Sequence, residues 1–142
     1  MPITKLIPAL AFDGTAAQAI KLYEKALGAK TETVMRFGDA PAMGHITAPE
    51  AKDRIMHSLV HIGAGLVMIM DAPPSAIVAT ESNVQISLEF DSVAELTKSF
   101  DALAAGGKIT MAIHDAFWGS KFGMLTDPYG IRWMLSCDPK KP

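Results

Sequence analysis

The residues of this 142-residue chain best placed to move a proton near neutral pH are His57, His114 and Glu89. His57 lies in an apolar strand-like run, where a neutral imidazole either hydrogen-bonds a ligand or transfers a proton, or else serves as a hydrogen-bonded interior or dimer-face histidine. His114-Asp115 ends a strand just before Phe117-Trp118. An Asp beside a His tunes it only if both face one way, and strand neighbours point apart unless a bulge intervenes. Glu89 is an inward carboxylate on an alternating segment, either a base if buried or a salt-bridged or mouth-exposed side chain.

Metal ligation is harder to build. His57 and His61 share a strand face, yet four strand residues separate their Cα atoms by roughly 13 Å, whereas zinc needs each nitrogen within about 2 Å. His45 falls in an irregular stretch, 38–54, that suits a lid or flap. The single Cys137 founds neither a disulfide nor a thiolate site. Ser58, Ser87, Ser120 and Ser136 lack the glycine pattern of a nucleophile elbow, and no Gly-rich phosphate loop opens a helix. A methyltransferase would need an adenosylmethionine site, and the sequence offers none. No resident cofactor or metal is expected.

Contact chemistry is better represented. Trp118 and Phe122 either stack on a planar ligand or pack in a core or dimer face. Met68, Met70, Met111, Met124 and Met134 make either an adaptable apolar wall or ordinary core.

The elements that must position these residues form a repeat. Leu6–Phe12 alternates, Asp13-Gly14-Thr15 offers a cap, and Ala16, Ala19, Ile20, Tyr23 and Leu27 recur at helical spacing before Gly28. Val84–Phe90 alternates likewise, Asp91-Ser92 caps, Val93–Ala105 is helix-like, and Gly106-Gly107 stops it. A constant offset of 78 pairs Leu10 with Leu88, Phe12 with Phe90, Asp13 with Asp91, Ala16 with Ala94, Ala26 with Ala104, Gly28 with Gly106 and Lys30 with Lys108. Strands are expected over 30–37, 55–62 and 66–70, then over 108–113, 121–126 and 131–137, the last two joined by Asp127-Pro128-Tyr129-Gly130. Each half reads βαβββ, a unit unable to cover its own sheet alone. Module one is expected over 1–72, a Pro-rich linker over 73–82 and module two over 83–142, one domain in all.

A formal net charge of −2 gives no reason to expect nucleic acid. The N-terminal apolar run is too short to span a bilayer, so a cytoplasmic protein without membrane contact is expected.

The segments FDGTAAQAIKLYEKALGAK, MHSLVHIGAGLVMIMD and FWGSKFGMLTDPYGIRWML, on paired βαβββ modules, resemble the vicinal-oxygen-chelate superfamily of glyoxalase I, bleomycin-resistance proteins and extradiol dioxygenases. More narrowly they are similar to its PhnB-like branch, once labelled 3-demethylubiquinone methyltransferase-like. The resemblance implies an α+β fold in which two modules curve mixed sheets around a cleft with helices outside, in a chain that forms a homodimer. In metal-dependent members, the first and last strands of each module supply His or Glu to one divalent ion. The matching positions here are Ile7, Met68 or Met70, Gln85 and Met134, a set unsuited to such an ion. The expectation is therefore a small apolar or aromatic ligand, held by Gln85, Met68, Met70, Trp118, Phe122 and Met134 without metal. The alternatives are a metal-dependent lyase or dioxygenase-like enzyme, proton transfer by His57, Glu89 or His114, and a vestigial cleft that serves partner binding.

Overall fold

The computed structural model describes residues 2–39, 52–74, 76–79 and 81–138. His45 and most of the 38–54 stretch lie outside them. The chain divides into two compact units, Met1–Val78 and Ala79–Pro142.

The first unit runs β1 (Ala9–Phe12), α1 (Ala16–Leu27), β2 (Lys30–Arg36), a 3-10 turn (Phe37–Asp39), β3 (Ile55–Ile62) and β4 (Gly65–Asp71). Its sheet has the order β1-β4-β3-β2, with β1 parallel to β4 and the other pairs antiparallel. The second runs β5 (Ile86–Phe90), α2 (Val93–Ala104), β6 (Lys108–Asp115), β7 (Lys121–Thr126) and β8 (Arg132–Cys137), in the matching order β5-β8-β7-β6. The βαβββ reading of each half and the α+β class hold.

Each helix covers one face of its own sheet. Ala16, Ala19, Ile20, Tyr23 and Ala26, three and four apart, bury one stripe of α1. Beneath it lie Leu10, Phe12, Val60, Val67 and Ile69. On α2 the stripe is Leu96, Ser99, Phe100 and Leu103, above Leu125, Trp133 and Leu135. Trp133 is fully buried on that side, as alternation with Met134 requires.

The two helix starts differ. Ser92 caps α2 as expected, its Oγ accepting from Glu95 N at 3.0 Å. Thr15 makes no side-chain cap on α1, and Asp71 at the end of β4 accepts from Ala16 N instead.

Strand starts are corrected at both N-termini. The alternation reads as strand from Leu6, but Leu6 is 86% exposed and the strand begins at Ala9. Pro8 has no N–H to donate, so the ladder cannot continue upstream through it. Val84 is likewise exposed, because β8 begins at Arg132 and residues ahead of Ile86 have no partner strand.

Gly123 in β7 illustrates why a strand would tolerate glycine. A Cβ there would lie 2.7 Å from Phe100 Cε2 and 3.1 Å from Ile113 Cγ1. The Phe100 ring, 2% exposed, occupies the space a side chain would take. Gly123→Ala is expected to destabilise the second unit by about 1–3 kcal/mol through overpacking. Denaturant titration of Trp fluorescence would measure it, and an unchanged midpoint would mean that α2 has room to retreat.

Candidate functional site

The helix-free face of the second sheet carries two complete transverse rows, set by strand register. One row is Ser87, Met134, Met124 and Met111, from β5 to β6. The next is Glu89, Ser136, Phe122 and His114. Regular alternation from Met111 would send His114 to the helix side. An extra residue between Met111 and His114 shifts the register and puts both on one face.

His114 is oriented by its own strand. Its Nδ1 donates to Ala112 O at 2.9 Å, which leaves Nε2 as the acceptor of the neutral ring. The ring meets Phe122 edge to face with centroids 6.1 Å apart, and Phe122 meets Trp118 at 5.6 Å. Phe117 packs on Trp118 at 4.9 Å. Trp118 and Phe117 occupy the loop between β6 and β7, closed by Ala116 N donating to Ser120 O at 2.7 Å. Trp118 is 57% exposed and Phe117 96%, so neither is core. Phe117 and Trp118 thus leave aromatic surface exposed next to the row that holds Phe122 and His114.

A direct His114-Asp115 pair, which would need a bulge between the two, does not form. The two residues face consecutive partners, Phe122 and Lys121, and so point to opposite sides. Asp115 instead pairs with Lys121 at 2.9 Å. Glu89 is exposed, so the apolar surroundings that would activate it are missing. It stands three strands from His114, roughly 14 Å across the sheet, too far for direct proton transfer. Gln85 is half-buried and precedes β5.

His57, Met68 and Met70 belong to the first unit, on the face of its sheet away from α1. Ala9 faces Met68 and Ala11 faces Met70, which puts all four on that face. His57 faces Met35 on β2. His61, on the same face, pairs with Glu32 at 2.9 Å. Ile7 is half-buried ahead of β1. Among the described residues, no three His, Cys, Asp or Glu side chains group closely enough to hold an ion.

Two features escaped the sequence reading. Asp71 and Asp127, buried at strand ends, accept backbone hydrogen bonds that fix their units. The Met111–His114 bulge was invisible because nothing in KITMAIHD marks an extra residue.

The Glyoxalase family, described as Glyoxalase/Bleomycin resistance protein/Dioxygenase superfamily, matches residues 5–135. Protein YjdN of Escherichia coli K12 is 34% identical over 144 residues, covering 96% of this chain and 97% of that protein. The crystal structure of protein PA1353 from Pseudomonas aeruginosa superimposes with a TM-score of 0.85 at 34% identity, covering 97% of this chain and 100% of that one. A Bacillus cereus protein described as a putative 3-demethylubiquinone-9 3-methyltransferase, PhnB protein, superimposes with a TM-score of 0.79 at 21% identity, covering 94% and 99%.

Proposed function

The chain belongs to the Glyoxalase/Bleomycin resistance protein/Dioxygenase superfamily, and from that membership we propose that it binds a small, planar, apolar or aromatic molecule on the helix-free face of its second sheet. The observation that carries this reading is the exposed Trp118 against Phe122, with His114 Nε2 free to accept a hydrogen bond beside them. A ring stacked on Trp118 and Phe122 would lie along the row of Met111, Met124 and Met134, whose flexible thioethers adapt to irregular shapes. A phenolic or amide donor on that ring would reach Nε2. Gln85, just ahead of β5, is a further proposed contact of this surface, Met68 and Met70 are proposed contacts of a ligand on the first unit's own helix-free face, and a homodimer in the cytoplasm is the proposed assembly and location.

No step runs through a glyoxalase-type divalent ion. Ile7 offers no donor, Met68, Met70 and Met134 offer thioethers, and Gln85 alone offers an oxygen, a poor set for a hard or borderline cation.

Fluorescence tests the reading, because Trp133 is buried and Trp118 is not. Titration with a panel of planar aromatic compounds is expected to quench the exposed tryptophan, and Trp118→Ala is expected to weaken binding by more than about tenfold, the loss of one aromatic anchor. Equal affinity in Trp118→Ala would place the ligand elsewhere. Nickel, zinc and manganese are expected to leave the melting temperature unchanged, and a one-equivalent shift would favour the metal-dependent lyase or dioxygenase-like reading.

A further inference from the structure

We propose that the first unit carries a site for a soft monovalent metal ion, Cu(I) or its redox-inert counterpart Ag(I), formed by the Met35 and Met70 thioethers and the His57 imidazole. The three stand side by side on adjacent strands. Met35 and His57 are direct partners across β2 and β3. On the other side, β3 and β4 pair Leu59 with Met68. Ser58 Oγ then donates to Ile69 O at 2.6 Å, which holds the same register and leaves His57 opposite Met70.

All three share the face turned away from α1, since their strand neighbours Ser58 and Ile69 are fully buried beneath the helix. Direct partners have Cβ atoms about 4.5–5.5 Å apart. With three rotatable bonds each, the outer methionines can swing their sulfurs toward the middle residue.

Burial and bonding favour the site. Met35 is 44% exposed, and Met70 and His57 are half-buried, so an ion can enter without opening the core. His57 makes no hydrogen bond or ion pair to any described residue, whereas His61 two positions on is held by Glu32 and His114 by Ala112. A half-buried imidazole flanked on both sides by thioethers has its preference written in the ligand chemistry. Thioethers select soft ions such as Cu(I), and imidazole joins them readily. No carboxylate stands in that row, whose fourth member is Ala11, so hard divalent ions gain nothing. The site does not depend on ligand binding by the second unit.

The test uses the intact protein with methyl-labelled methionine. One equivalent of Ag(I), in chloride-free buffer, is expected to shift the Met35 and Met70 methyl resonances and the His57 ring signals, leaving Met111, Met124 and Met134 in place. Under anaerobic competition with a chromophoric chelator, Cu(I) affinity is expected to fall in Met35→Leu and Met70→Leu, which conserve volume. The fall should exceed the roughly 10–100-fold typical of outer-shell changes. Met124→Leu is expected to bind like the parent. Absence of binding overturns the proposal, as does transfer of the ion to Met111, Met124 and Met134 or to the buried thiol of Cys137, seen as loss of binding in Cys137→Ser.

Discussion

Asp127→Ala is expected to destabilise the second unit by about 3–5 kcal/mol, since each donor left unsatisfied on burial costs roughly 1–3 kcal/mol and three are affected. Asp127 is 3% exposed and accepts three hydrogen bonds from its own turn and strand. Oδ1 takes Tyr129 N at 2.9 Å and Ile131 N at 3.1 Å, and Oδ2 takes Trp133 Nε1 at 2.9 Å. The backbone closes the same turn, with Gly130 N donating to Asp127 O at 3.0 Å and Gly130 at φ 97°, a conformation side chains resist. One carboxylate therefore fixes both the turn between β7 and β8 and the largest core side chain. Alanine leaves three donors facing a hole.

Asp127→Asn separates these roles. Its amide oxygen can keep the two backbone donors, but its NH2 then faces the indole N–H, donor against donor. The variant is expected to lose less stability than alanine and to disturb the buried Trp133 emission. A denaturation midpoint for Asp127→Ala within error of the parent would mean that water replaces the carboxylate.

The counterpart in the first unit is Asp71, 4% exposed at the end of β4. Its Oδ1 accepts from Ala16 N at 3.0 Å, and its Oδ2 from Ile55 N at 2.9 Å. One carboxylate thus caps α1 and anchors the start of β3. The negative charge also complements the positive end of the helix dipole. Asp71→Ala is expected to cost about 2–4 kcal/mol through two unsatisfied buried donors. Amide hydrogen exchange gives the local readout, with protection lost first at Ala16 and Ile55. Protection retained at both would show that neighbouring groups or water take over the two donors. Because Asp71 and Asp127 lie in separate units and the hydrogen bonds described for each go to different residues, their effects should add in the double variant.

Apolar spacing was enough to read most of the fold. Ala16–Leu27, Ile55–Ile62 and Lys121–Thr126 are bounded as the helical period, the alternation and the glycine stops indicate. Alternation also ties Trp133 and Met134 to opposite faces, and the burial of Trp133 leaves Met134 on the open one. Where reading failed, a partner was missing or unseen. Leu6 and Val84 continue an alternating pattern, but alternation does not report whether a neighbouring strand extends that far.

The candidate site was half legible. Alternation along Leu66–Met70 offered Met68 or Met70, the family's pattern after the Asp127-Pro128-Tyr129-Gly130 turn pointed to Met134, and aromatic contact chemistry singled out Trp118 and Phe122. The tight Gly63-Ala64 connection fixes the pairing of β3 with β4, so the His57–Met70 neighbourhood was accessible in principle. Met35 was not, because two register shifts between β2 and β3 decide what it faces.

The sequence by itself determined which segments are helix or strand, that the βαβββ unit occurs twice, and which side of each strand is apolar. These follow from local spacing, since burying one face is a property of a segment's own periodicity. Only the tertiary structure decided that His114 joins Phe122 and Trp118, that Asp115 turns to Lys121, that Asp71 caps a helix 55 residues away, and that His57 lies between two thioethers. Each depends on register and bulges, where one residue of slip reverses every side chain, and register is set by pairing between segments distant in the chain.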